Sequence, residues 1–212
     1  MLINVHHINN YDQIHIDPKS KSLVVLDIDE TIFKFEDIDY KWWEDNYKKY
    51  ADFGYDTNKS TEIICKEWIE YIESRRPIML DQIKFNELLD TIKNTDSKLI
   101  FLTARTEDMK NLTIKQLSES GIHFNEITSE QAKTSSTVNL QDNSFILAET
   151  DIYFSKNKGL MLKNLLEQTY TEFKNIIFVD DLERNISDVK KNMLDIHSKY
   201  KIDLYQLKHI NL

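Results

Sequence analysis

Apolar runs in this chain end on reactive side chains. LVVLDID ends on Asp27 and Asp29, LIFLT on Thr103, and IIFVDD on Asp180 and Asp181. Lys158 lies between the last two runs, just ahead of leucines at helical spacing. Residues two apart on an extended chain share a face, so Asp27 and Asp29 could serve one reaction centre. One carboxylate can attack phosphorus. The other can protonate the leaving oxygen and then activate water against the aspartyl-phosphate. Crowded carboxylates repel, which calls for a hard cation such as Mg²⁺, with Asp180 supplying a ligand from a second strand. Thr103 and Lys158 would hold phosphoryl oxygens, and the lysine would offset developing negative charge. Arg105, two residues after Thr103, is a further candidate for phosphate, or else a member of a structural ion pair. Singly these features are weak: D-x-D occurs in solvated acidic turns, and a lone lysine is usually a surface one. The joint order carries the reading, because residue type, apolar context and sequence must all agree.

Groups at the ends of several strands act together only if the strands are parallel neighbours. Leu23–Ile28, Leu99–Leu102 and Ile176–Val179 are short, continuous and rich in β-branched or aromatic residues. Strands buried on both faces of a helix-covered parallel sheet have that composition. Helical periodicity lies between them, over Glu107–Ser120, Gly159–Tyr170 and Leu182–Leu194, and Ile202–His209 reads as a last strand. Alternating strands and helices predict an α/β fold. In such sheets ligands bind outside the carboxyl ends of the strands, which puts all the reactive groups at one edge.

The order hhhhDxDxT, hhhT, K, hhhDD resembles the haloacid dehalogenase superfamily of phosphohydrolases and phosphotransferases. The segments are LDIDETI (Leu26–Ile32), FLTAR (Phe101–Arg105), KNKG (Lys156–Gly159) and FVDDLERN (Phe178–Asn185), within a core from Leu23 to Leu194. The resemblance implies a Rossmann-like parallel sheet with helices on both faces and a helical cap inserted after the first motif strand. It implies Asp27 as nucleophile and Asp29 as acid/base. Mg²⁺ would be held by the Asp27 carboxylate, the backbone carbonyl of Asp29, and Asp180. Asp181 would assist through the metal's water shell or Lys158, and Asn185 matches a supporting position near the substrate. Dehalogenases and P-type ATPases of this superfamily lack a carboxylate at the second position, so Asp29 favours phosphatase or phosphotransferase chemistry. The part from Phe145 to Asn185 also resembles a branch of the superfamily found in intracellular bacteria.

The stretch Phe33–Lys98 is longer than one crossover needs, polar, and studded with Tyr40, Trp42, Trp43, Tyr47 and Tyr50. The expected division is a core of residues 1–32 and 78–212 with a cap over 33–77. A smaller insertion is expected from Phe124 to about Asp151, its end a β-hairpin. The 212 residues carry a net charge of -9, which disfavours a nucleic-acid partner. A lone cysteine, Cys65, excludes an internal disulfide, and no apolar run is long enough for a membrane helix. A cytoplasmic protein is expected, with secretion left open, and the oligomeric state is not legible. His6, His7 and His209 read as solvated or core residues. The leading function is a Mg²⁺-dependent phosphatase acting on a small phosphorylated metabolite. The alternatives are a phosphoprotein or nucleotide phosphatase, and a binding or regulatory protein on the same scaffold.

Overall fold

The computed structural model describes residues 3–122, 145–147 (backbone) and 151–208. The chain divides into two compact units: Met1–Ile32, Leu80–Glu107 and His123–Leu212 form one, Phe33–Met79 and Asp108–Ile122 the other.

The first unit is built on a sheet that has seven strands among the described residues. They are β1 (Ile3–Ile8), β2 (Ser22–Leu26), β5 (Lys98–Thr103), β6 (Phe145–Leu147), β7 (Ile152–Phe154), β8 (Asn175–Asp180) and β9 (Lys201–Leu207). The spatial order is β1-β9-β8-β2-β5-β7-β6. All pairings are parallel except β6 with β7, which is antiparallel. From β2 the chain adds β5 and then β7 on one side, and later β8 and β9 on the other. The order therefore reverses between β2 and β8, and a doubly wound sheet opens its ligand crevice at that switch point.

Helices cover both faces, as the apolar strands require. Leu23, Val25, Ile100, Leu102, Ile176 and Phe178 pack with Leu162, Leu165 and Leu166 of α5 (Lys158–Gln168) and with Ile186, Val189 and Met193 of α6 (Glu183–Met193). Val24, Leu26, Leu99 and Phe101 alternate with these residues along the strands and are equally buried. On their side α3 (Gln82–Asn94) lies against β5 and buries Phe85, Leu88 and Ile92, with the Tyr11 ring edge-on to Phe85. Gly159 is required where α5 meets α6. A Cβ there would stand 2.5 Å from the Asp188 carbonyl oxygen, and the Gly159 amide donates to the Asp188 carboxylate at 2.7 Å.

The second unit is helical. A two-stranded antiparallel ribbon, β3 (Phe33–Lys34) with β4 (Ile78–Met79), closes its main segment. Between them run α1 (Tyr40–Asp52) and α2 (Thr57–Glu73), each started by an aspartate, Asp39 and Asp56, whose side chain accepts an amide of the first turn. Ile64 and Ile72 are fully buried, Trp43 leans on Trp68 at 5.8 Å, and the Tyr50 hydroxyl donates to Glu67. The unit also takes in α4 (Lys110–Glu119), where buried Gln116 donates to the Ile72 carbonyl at 3.0 Å. Periodicity marked a buried face on this helix, but a pattern of apolar residues does not say against what it is buried.

The α/β expectation holds, with differences in detail. β1 was not anticipated because its edge position leaves alternate side chains half in water, so INVHHI reads as polar. The apolar run Phe145–Phe154 contributes two antiparallel strands, in keeping with the β-hairpin expected at the end of the second insertion. His209 and most of the insertion expected from Phe124 lie outside the described residues.

Candidate active site

Three strand ends and one helix start meet at the switch point. Past Leu26 the chain keeps the ladder for one more residue, the Asp27 amide donating to the Val179 carbonyl at 3.0 Å. It then turns. The Ile28 carbonyl accepts from the amides of Thr31 and Ile32 at 3.3 and 2.8 Å, and Glu30 takes a left-handed φ of 55°. β2 itself stops at Leu26, so Asp27 and Asp29 lie just past the strand end: Asp27 precedes the tight turn that Ile28 opens, and Asp29 lies within it. The buried Tyr11 hydroxyl donates to the Thr31 carbonyl and secures the turn from the side, a contribution that no sequence signal announced.

Asp27 and Asp180 are both buried, and Lys158 lies between them with 1% of its side chain exposed. Its ammonium stands 2.5 Å from Asp27 Oδ1 and 2.7 Å from Asp180 Oδ2. Lys158 reaches this point because it is the first residue of α5, a start set by the Asn157 side chain accepting from the Leu160 amide. Asp180 is held on every side. Besides Lys158 it accepts from the Leu182 amide at 2.9 Å and from Asn185 Nδ2 at 2.9 and 3.1 Å. Asn185 thus addresses Asp180. Asp181 completes the group: one carboxylate oxygen each from Asp27, Asp180 and Asp181 lie within 4.8 Å of one another.

The electrostatics follow from this crowding. Burial, with the charges of Asp180, Asp181 and Asp29, pushes the Asp27 carboxyl well above the usual carboxylate range, against the pull of Lys158. Burial and the neighbouring Asp180 push Asp181 up to about 8, with Lys158 opposing. Burial alone would lower the Lys158 ammonium, but Asp180 and Asp27 reverse that and hold it above its ordinary range. One lysine faces more negative charge than it balances. A hard divalent cation suits this oxygen-only set, and the surplus charge is what it would neutralise.

Thr103 ends β5, buried, its carbonyl accepting from the Ser155 amide at 2.8 Å and its hydroxyl from the Arg105 amide at 3.2 Å. Arg105 faces Asp29. Its Nε donates to Asp29 Oδ2 at 2.8 Å and a terminal nitrogen to Asp29 Oδ1 at 2.6 Å, a two-pronged grip. Sequence reading had named both residues without pairing them, since the pair is formed across two loops.

A model of a family of proteins of unknown function, DUF2608, matches residues 3–211. The chain belongs to the DUF2608 family. No curated protein matches it. Among solved structures this DUF2608 chain is similar to the class C acid phosphatase from Bacillus anthracis, at 15% identity and a TM-score of 0.45. The likeness covers 89% of this chain and 66% of the phosphatase, just under two thirds of its length. The same enzyme with tungstate bound gives similar values, with 90% of this chain covered. A haloacid dehalogenase-like hydrolase from Burkholderia xenovorans is 13% identical at a TM-score of 0.46, covering 89% of this chain and 95% of its own. At these values the likenesses do not bear on function, and none of them ties the chain to intracellular bacteria.

Proposed function

We propose that this protein is a metal-dependent phosphomonoester hydrolase that works through an aspartyl-phosphate on Asp27. What carries the reading is the convergence of Asp27, Asp180 and Asp181, with buried Lys158 between the first two, at the switch point of a parallel sheet. An Asp27 carboxylate oxygen attacks phosphorus as the bond to the leaving oxygen breaks, and Asp29 gives that oxygen a proton. Asp29, now a carboxylate, takes a proton from water as the water attacks phosphorus. The bond to Asp27 breaks, and inorganic phosphate and the free carboxylate result. Lys158 offsets charge on the nucleophile and on the phosphoryl oxygens, and Thr103 offers a hydroxyl at the same edge. Asp27, Asp180, Asp181 and the Asp29 carbonyl would hold Mg²⁺, which when bound supplies charge neutralisation and polarises the phosphoryl group.

The substrate class proposed is a small phosphorylated metabolite, with the helical insertion over 33–77 selecting it. Support comes from its place in the chain, directly after the catalytic turn, and from aromatic side chains at its surface: Tyr40 is 69% exposed, and Trp42 and Trp43 are half-buried. The acidic charge agrees with a partner other than nucleic acid. Among the described residues no helix is long and apolar enough to cross a membrane.

Incubation of the purified chain with an aryl phosphate and Mg²⁺ tests the chemistry. Release of phosphate that stops with excess chelator and returns with Mg²⁺ is expected. Metal-independent turnover would overturn the metal role, and no turnover of any ester in a phosphorylated-metabolite screen would overturn the hydrolase reading.

A further inference from the structure

We propose that Arg105 is a positioning residue that orients the Asp29 carboxyl toward the leaving group, and that it is not a ligand of the substrate phosphate. The inference rests on the hydrolase reading and deepens it. Three observations carry it.

The first is the grip itself. Both oxygens of Asp29 are engaged, at 2.8 and 2.6 Å, by two nitrogens of one planar guanidinium. Such a fork fixes the carboxylate in direction as well as position, which a lysine's single point charge cannot do. The second is the asymmetry of exposure. The Arg105 side chain is 0% exposed, while that of Asp29 is 28% exposed. The carboxyl therefore presents an open side, and the guanidinium lies behind it. An arginine serving an incoming phosphate would show the reverse. The third is the backbone. Asp29 lies past the end of β2, in a turn whose next residue, Glu30, has a φ of 55°. Arg105 is anchored through its amide to the Thr103 hydroxyl at the end of β5. The fork thus transmits the rigidity of a central strand to a carboxyl on a turn.

The chemistry makes this separable from phosphate binding. An alkoxide leaves only if protonated as it departs, so an alkyl phosphate depends on a well-aimed acid. A nitrophenolate leaves with little help. Misaiming the acid slows the first reaction and spares the second, whereas losing a phosphate ligand weakens both.

The test uses the full chain with Mg²⁺, two substrates (4-nitrophenyl phosphate and ethyl phosphate), and inorganic phosphate as competitive inhibitor. In Arg105→Gln, kcat for ethyl phosphate should fall by about tenfold to a hundredfold. That for 4-nitrophenyl phosphate should fall by no more than about threefold, and the inhibition constant for phosphate should stay unchanged. Arg105→Lys should show the same selective loss, because it keeps the charge but not the fork. It also serves if the glutamine variant does not fold. In Asp29→Asn the further change Arg105→Gln should add little. Equal slowing of both esters, or a weakened inhibition by phosphate, would overturn the proposal and return Arg105 to phosphate binding. Wild-type chain that turns over neither ester removes the hydrolase reading, and this inference with it.

Discussion

Two largely buried ionic clusters occupy opposite edges of the same sheet, and they are built on opposite principles. At the carboxyl edge, Asp27, Asp180 and Asp181 gather around the single ammonium of Lys158. At the other edge, Lys98 opens β5 and pairs with Asp151, which precedes β7; their side chains are 12% and 5% exposed. Tyr170 donates to the second oxygen of Asp151 at 3.0 Å, and the Tyr153 and Tyr170 hydroxyls are 2.5 Å apart. With the Tyr170 proton committed to Asp151, Tyr153 is the donor of that last bond. Here one cation meets one anion, and the second Asp151 oxygen is filled by a chain of two tyrosines. A pair balanced in this way carries no surplus charge. A cluster with surplus negative charge is unstable in itself, and under the proposed function a cation would complete it. Charge balance distinguishes the two clusters better than burial does, since both are largely buried.

The largest expected effect breaks the working cluster chemically. Asp27→Asn should lower phosphate release by at least about a thousandfold while leaving the circular dichroism spectrum intact, because an amide cannot serve as the nucleophile. Substantial residual turnover in the purified variant would assign the nucleophile elsewhere.

Next comes the balanced cluster. Asp151 has a φ of 53°, a conformation that asparagine tolerates well, so Asp151→Asn removes the charge with little backbone strain. It leaves Lys98 unpaired, and denaturant unfolding should show a loss of about 3 kcal/mol with kcat unchanged. A neutral effect on stability would mean that Lys98 reaches water.

The same substitution type should have the opposite sign at the other edge. Asp181→Asn relieves repulsion, so the metal-free protein should gain on the order of 1 kcal/mol at pH 8, while the Mg²⁺ concentration needed for activity rises. Loss of stability in the metal-free variant would show that the cluster is balanced after all.

The smallest effect is a pH trend. Folding raises the carboxyls of Asp27 and Asp181 above their unfolded values, the latter to about 8. The folded, metal-free chain therefore binds more protons than the unfolded chain between roughly pH 4 and 8. This stabilising contribution is fully present below the unfolded value and is lost as pH rises through the folded one. The melting temperature in chelator should drift downward from pH 5 to pH 8, and saturating Mg²⁺ should remove the drift. A melting temperature that rises over that window in chelator would contradict the surplus-charge account.

Several features were legible without coordinates. Short continuous apolar runs rich in β-branched or aromatic residues are typical of strands buried on both faces, so Leu23–Ile28, Leu99–Leu102 and Ile176–Val179 announced a helix-covered parallel sheet. Residues at the carboxyl ends of such strands must share an edge, and that brought Asp27, Thr103, Asp180 and Asp181 together on paper. Hydrophobic burial is a property of residue type along the chain, so the sequence by itself determined these elements and the reactive groups at their tips. Tertiary structure alone decided the rest. It placed Lys158 between Asp27 and Asp180, paired Asp29 with Arg105, joined Lys98 to Asp151, and grouped α4 with the inserted helices. Each of these depends on the angle of a turn or on which two buried faces meet. Direction and pairing come from packing among distant segments, and no local pattern of residue types encodes them.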